Sequence, residues 1–193
     1  MNLLITGFEP FGGERINPAW EAVAALPNQI GPWFLTKLNV STVFGLAAKQ
    51  AIQAADQMKP DAILCIGQAG GRDAVTIEMT ALNLRFASIP DNAGNQPQDE
   101  PVVPRGPTAY FSTVPVRKMT QAIQASSLPG KVSYSAGTFV CNDLFYSLLH
   151  HYHASPVRVG FIHVPYLPSQ GAPSLSLEAT VKALSLAISA LQE

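Results

Sequence analysis

The sequence predicts a three-layer α/β/α sandwich around a twisted, mostly parallel sheet that is mixed in part. Three observations predict it. Apolar runs of strand length alternate with helical patterns along most of the chain. Hydrophobic residues make up 47% of the 193 positions and charged ones only 13%. The charged share is well under the roughly one quarter of an average soluble protein, a balance suited to a sheet covered by helices. No linker, repeat or low-complexity tract divides the chain. Residues 1–193 are therefore expected to form a single domain, long enough for one sizeable core.

The elements follow in order. Asn2–Thr6 reads as a first strand, since its apolar part is too short, and its start not basic, for a signal peptide. Asn17 before Pro18 is a cap-then-proline start for a helix over Pro18–Leu26. Trp33–Val40 is a strand, and Gly45–Met58 a helix whose Leu46, Ala47, Ala51, Ile52 and Ala55 form an apolar stripe. Ala62–Ile66 is a strong strand, with Cys65 read as a small core residue. Val75–Ala81 and Asn83–Ser88 are strand-like pieces with no helix between them, which points to a mixed sheet or a hairpin. In the first, Val75, Ile77, Met79 and Ala81 alternate with Thr76, Glu78 and Thr80, putting Glu78 on the more polar face. Ile89–Thr113, with Pro90, Pro97, Pro101, Pro104 and Pro107, reads as a long structureless segment of a functional or interfacial kind. Helix Val116–Ala125, strand Lys131–Tyr134, helix Asn142–His153, strand Val157–His163 and helix Ser174–Leu191 complete the series.

Charge and composition exclude several classes. A formal net charge of −1 gives no reason to expect a nucleic-acid partner or an anionic membrane. No stretch is long enough to span a bilayer. Two cysteines make no disulfide framework, so a cytoplasmic location is expected. His150 and His153 share a helix face, yet no nearby Cys, Asp or Glu completes a ligand set. They read as solvated residues at a helix C-terminus, and neither a metal nor another cofactor is expected. The low charged fraction also fits a subunit that hides surface in a homo-oligomer.

The chemistry concentrates around Ser135-Ala136-Gly137-Thr138-Phe139-Val140-Cys141-Asn142-Asp143. A strand ends in small residues, and a helix is expected to begin just after Cys141, capped by Asn142 or Asp143. A thiol at a helix N-terminus sits near partial positive charge, which favours the thiolate, although Asp143 opposes this. His163 ends the following strand before Pro165. In a parallel strand–helix–strand unit, the helix start and both strand ends share one sheet edge, where active sites of open α/β folds collect. Cys141 and His163 can therefore meet as nucleophile and base, while position alone leaves the bland reading, core cysteine and structural histidine, equally open.

Two glycine-rich loops follow strands. Gly67-Gln68-Ala69-Gly70-Gly71-Arg72 lacks the lysine and serine of a P-loop and does not fit G-x-G-x-x-G, so a tight turn lining the active edge outweighs a phosphate loop. Gly7-Phe8-Glu9-Pro10-Phe11-Gly12-Gly13 holds two aromatics that either cap the core or wall a pocket for a flat apolar ring.

Taken together these motifs resemble pyroglutamyl peptidase I, the family of cysteine peptidases that removes N-terminal pyroglutamate. The resemblance runs nearly end to end. It includes Gly7–Gly12 with Asn17-Pro18, Gly67–Arg72 followed by Ile77-Glu78 and Asn83, then Ile89-Pro90-Asp91-Asn92, Gly106-Pro107 and Ala109–Thr113. The cysteine signature Ser135–Asn142 and His163-Val164-Pro165 complete it. The resemblance implies a triad of Cys141 as nucleophile, His163 as base and Glu78 as the group that orients the imidazole. It implies oxyanion stabilisation by the Cys141 N–H with Arg85 as helper, and a ring pocket of Phe8 and Phe11 with Phe139 and Val140 nearby. Gln68 and Asn17 would hold the lactam or organise its loop. The implied partners are N-terminally pyroglutamylated peptides, and the implied assembly is a homo-oligomer, dimer or tetramer.

One departure from the family pattern is Met79, where a basic residue often follows the glutamate; on a strand it faces away from Glu78. Two rival readings stand beside the peptidase: a nucleotide- or phosphate-binding module built on Gly67–Arg72, and a catalytically silent homologue.

Overall fold

The computed structural model describes residues 1–192. Its strands are β1 (Asn2–Phe8), β2 (Gln29–Ile30), β3 (Trp33–Val40), β4 (Ala62–Gln68), β5 (Val75–Glu78), β6 (Thr80–Leu82), β7 (Ala109–Phe111), β8 (Gly130–Ser133) and β9 (Arg158–Val164). Its helices are α1 (Pro18–Ala25), α2 (Leu46–Met58), α3 (Val116–Gln124), α4 (Val140–His151) and α5 (Leu177–Ser189). Among the described residues a seven-stranded sheet runs β2-β3-β1-β4-β9-β5-β8, and β6 pairs with β7 apart from it.

The strands β1, β4 and β9 are almost continuously buried, as expected where helices cover both faces of a parallel sheet. One core cluster joins α1, α3 and α5 to side chains such as Leu3, Ile5, Leu64, Ile66, Ile77 and Ile162. The other joins α2 and α4 to Leu4, Ile63, Cys65, Val159 and Phe161 on the opposite face. Asn17 caps α1 through its Oδ1, which accepts from Ala19 N at 3.0 Å, and Ser176 does the same for α5 at Ala179 N.

The sheet is parallel through β3, β1, β4 and β9, but β5 runs antiparallel to β9, and β8 follows β5. Chain length dictates this reversal. Only residues 69–74 separate β4 from β5, too few for the crossover of a dozen or so residues that a parallel neighbour requires. The glycine-rich loop therefore folds over the end of β9, where Ala69 N donates to Val164 O at 2.9 Å, and returns on β9's far side.

Several expectations are corrected. β8 runs against β9, so β8–α4–β9 is not a parallel strand–helix–strand unit. The whole of β5 is buried, Glu78 included, so Glu78 does not lie on a polar face. Asn83–Ser88 forms no strand; Arg85 makes one antiparallel bridge, to Glu100. The 89–113 segment is not structureless. Its Ala109–Phe111 pairs with Thr80–Leu82, and its Asp91 carboxylate accepts hydrogen bonds from the backbone of Phe44, Ala93 and Asn95. Helix α4 begins at Val140, one residue before Cys141 rather than one after, and neither Asn142 nor Asp143 caps it.

Candidate active site

Register places the site. Gly67 of β4 lies opposite His163 of β9, and Thr76 of β5 lies opposite His163 on the other side. Glu78, two residues beyond Thr76, shares its face, as does His163. It is the diagonal neighbour of His163, within reach of a long side chain. His163 Nδ1 donates to Glu78 Oε1 at 2.7 Å, and both side chains are buried. The same carboxylate oxygen accepts from Arg72 Nη1 at 2.7 Å, and Arg72 also donates to the Thr76 hydroxyl.

Cys141 reaches this point from α4. Residues 134–139 turn back from β8 through Gly137, whose φ of 80° is a left-handed value suited to glycine. They are held to residue 86 by Phe86 N on Thr138 O and by the Thr138 hydroxyl on Phe86 O. Helix α4 then starts over the sheet, with Cys141 in its first turn, where backbone N–H groups lack intrahelical acceptors. A Cβ on Gly67 would stand 2.9 Å from Cys141 Sγ, so the sulfur occupies the space left free above Gly67, beside His163.

Charge in the site is set by burial and by neighbours. Burial pushes the Cys141 thiol up to about 12, with the Glu78 and Cys65 charges adding to this, while Arg72 and the Cys141 backbone pull the other way. Burial thus disfavours a free thiolate and favours a sulfur that gives its proton to a neighbouring base. Burial also works to raise the Glu78 carboxyl, but the His163 hydrogen bond and charge outweigh it, helped by the Ser133 hydroxyl and Arg72. Glu78 is held below its ordinary range and is anionic at neutral pH.

Cys141 and His163 open into one cavity of about 510 Å³, lined also by Phe11, Gln68, Arg72 and Phe139. Phe11 and Phe139 pack with ring centroids 5.8 Å apart. Gln68 Oε1 accepts from Gln170 Nε2 at 3.2 Å. Phe8, packed against Phe161, and Val140 are buried in the core and do not line the cavity. Asn17 sits at the α1 cap and donates to Glu9 O at 3.1 Å, which shapes the loop that carries Phe11. Arg85 stands apart from the cavity: its Nε donates to Asp143 Oδ1 at 2.6 Å, and Asp143 Oδ2 accepts from Gly45 N at 2.7 Å. A larger groove of about 780 Å³ runs beside α2, lined by Ala48, Lys49, Ile52, Gln53 and Ser147, and includes neither Cys141 nor His163. Among the described residues no group of three or more His, Cys, Asp and Glu side chains could hold a metal ion, and no helix is long and apolar enough to cross a membrane.

Two further residues act at the site in ways the sequence did not indicate: Arg72, read there only as part of a turn, and Asn142, read there as a helix cap. Asn142 Oδ1 accepts from Leu82 N, and its Nδ2 donates to Leu82 O and Leu84 O, tying the helix that carries Cys141 to β6. Asn142 acts on a segment about 60 residues away, and Arg72 reaches Thr76 and Glu78 only because the loop folds back over the sheet end.

Comparison with known proteins gives the family. The profile of the pyroglutamyl peptidase family matches residues 1–193. The chain is 48% identical to the pyrrolidone-carboxylate peptidase of Enterococcus faecalis, over 98% of this chain and 92% of that protein. It superposes on the crystal structure of pyroglutamyl peptidase I from Bacillus amyloliquefaciens with a TM-score of 0.95 at 45% identity, covering 98% of this chain and 96% of that one. A mutant pyrrolidone carboxyl peptidase of Pyrococcus furiosus gives 0.95 at 39% identity, over 99% of this chain and 98% of that one. Fold and relatives together define a cysteine-type peptidase. Within that class the chain belongs to the pyroglutamyl peptidase family.

Proposed function

We propose that the protein removes N-terminal pyroglutamate from peptides through a Cys141–His163–Glu78 triad. The observation that carries this reading is the 2.7 Å bond from His163 Nδ1 to the buried Glu78 carboxylate, with Cys141 Sγ seated over Gly67 in the same cavity. That bond fixes the ring and its tautomer, leaving Nε2 as the nitrogen free to accept a proton. His163 takes the proton of Cys141 as the sulfur attacks the carbonyl carbon joining pyroglutamate to the next residue. The oxyanion forms at the helix start, where the Cys141 N–H, in the first turn of α4, is a fixed donor. As the C–N bond breaks, His163 gives its proton to the departing amine. Water then loses a proton to His163 and attacks the thioester. The S–C bond breaks, the sulfur regains its proton, and free pyroglutamate leaves.

The cavity suits a neutral lactam. Pyroglutamate has no free amine, so no carboxylate is needed to anchor one. Phe11 and Phe139 supply an apolar slot backed by Phe8 and Val140, with Gln68 as the amide partner and Asn17 holding the Phe11 loop. Arg85 acts on the oxyanion at most through α4, by way of its bond to Asp143. The low charged fraction supports assembly into a dimer or tetramer, which sedimentation would measure.

Release of a fluorophore from a pyroglutamyl-amide tests the reading. The wild type turns over under reducing conditions and Cys141→Ala does not; no turnover by the wild type ends the proposal. A prolyl-amide, which lacks the lactam carbonyl, is expected to be refused, because it leaves the slot's polar groups unpaired.

A further inference from the structure

Arg72 enters the site from the loop that folds over the end of β9, and the triad reading assigns it no part. Its Nη1 lies 2.7 Å from Glu78 Oε1, the oxygen that also accepts His163 Nδ1. It donates as well to the hydroxyl of Thr76, the strand partner of His163. Glu78 is fully buried, and its other oxygen, Oε2, forms no hydrogen bond among the described residues. Arg72 keeps 32% of its side-chain exposure and lines the cavity. A buried carboxylate with a single shared acceptor atom demands a counter-charge. Two groups can supply it: an imidazolium at His163 or the guanidinium of Arg72. An imidazolium at rest has no nitrogen left to accept the Cys141 proton.

We propose that Arg72 is a positioning residue: it fixes the Glu78 carboxylate and balances its charge, so that His163 rests neutral and ready to act as base. The inference rests on the triad reading above. Other ionisable and polar groups around His163 do not take over this task. Cys65 on β4 is a buried thiol, Cys141 on α4 is the proton donor itself, and Ser133 on β8 offers a neutral hydroxyl. Lys131 on β8 is paired with Asp73 at 2.8 Å and exposed, and Arg85 is committed to Asp143. Removing the Arg72 charge leaves Glu78 to draw a proton onto the Cys141–His163 pair. The pair then sheds that proton only at higher pH.

The test is the pH profile of Cys141 alkylation by iodoacetamide, located by mass spectrometry, beside the pH profile of kcat/KM on a pyroglutamyl-amide. For Arg72→Gln, which keeps a donor for Glu78 but loses the charge, the acid limb of both profiles should move up by about one unit. Arg72→Met should move it as far, and Arg72→Lys should hold it near the wild-type position while recovering most of the rate. Charge-free variants whose rate merely drops, with the acid limb unmoved, would show a structural strut and overturn the proposal. So would a limb that moves equally in Arg72→Lys. Alkylation needs no turnover, so a shifted alkylation profile in a protein inactive on pyroglutamyl-amides would reject the peptidase reading and keep Arg72's role. If the charge-free variants do not fold, Arg72→Lys alone decides: its acid limb must coincide with that of the wild type.

Discussion

At Gly67 the missing side chain shapes the site as much as any side chain present. A methyl group there would lie 2.8 Å from the Phe161 ring and 2.9 Å from Cys141 Sγ, closer than real carbon contacts allow. Gly67→Ala should therefore push the sulfur away from His163 and lower kcat on a pyroglutamyl-amide by about a hundredfold, the order that a misplacement of about 1 Å costs. Circular dichroism should show the fold retained. Glu78→Gln keeps the shape but frees the imidazole's orientation and charge; a loss of kcat of about 10³–10⁴-fold is expected, by analogy with the loss of the carboxylate in serine-type triads. A kcat within threefold of wild type for Glu78→Gln would remove Glu78 from the triad.

Helix α4 is positioned by polar side chains that are not its caps. Asn142 makes three hydrogen bonds to the backbone at Leu82 and Leu84, and Asp143 binds both Arg85 and Gly45 N. These bonds explain why two polar residues lie buried in the first turn of a helix packed on a sheet. Asp143 is fully buried, and Arg85 packs over the Phe44 ring, which in turn meets Phe139 edge-on at 5.4 Å. Replacing Arg85 by Met strands a buried carboxylate. We expect about 2–3 kcal/mol of lost stability in urea unfolding, below the usual range for a fully buried pair because Arg85 is partly exposed. Asn142→Ala should cost about 2–4 kcal/mol, since it leaves backbone groups at Leu82 and Leu84 unpaired. If the Asn142→Ala midpoint is unchanged, the tie between α4 and β6 contributes little.

For the whole molecule, the carboxylates and thiols set opposite limbs of the stability profile. Burial tends to raise Asp91, but hydrogen bonds from Asn95, Phe44 N and Ala93 N prevail and hold it low; Glu78 is low for the reasons given above. Both groups bind fewer protons in the folded state at mildly acidic pH. Their stabilising effect is complete above their ordinary values of 3.8 and 4.5, and fades as pH falls through the lower folded values. The two thiols behave in reverse: burial lifts Cys65 and Cys141 from 9.0 to about 12, so stability is full below pH 9.0 and declines as pH rises towards 12. Urea midpoints measured from pH 3 to 11 should trace a plateau with a fall at each end, and Cys65→Ala should soften the alkaline fall. An alkaline limb unchanged in Cys65→Ala would show that this thiol does not titrate on unfolding.

Much of this was legible in sequence because it is local. Trp33–Val40 declared itself by apolar spacing, α1 by Asn17-Pro18, and the cysteine signature by its string of residues. The ordered motifs were also enough to name the family. Strand direction was not legible: the parallel unit expected around α4 is absent, because the short 69–74 loop reverses β5 and carries β8 with it. That reversal, and not a shared strand-end edge, sets Glu78 diagonally across from His163 and brings Arg72 onto Glu78 and Thr76. The sequence by itself determined the family and singled out Cys141 and His163 as candidates from residue type and local context, with Glu78 added by the resemblance. Only the tertiary structure decided their charges and their partners, because burial, register and the path of the chain bring residues distant in sequence to one side of the sheet.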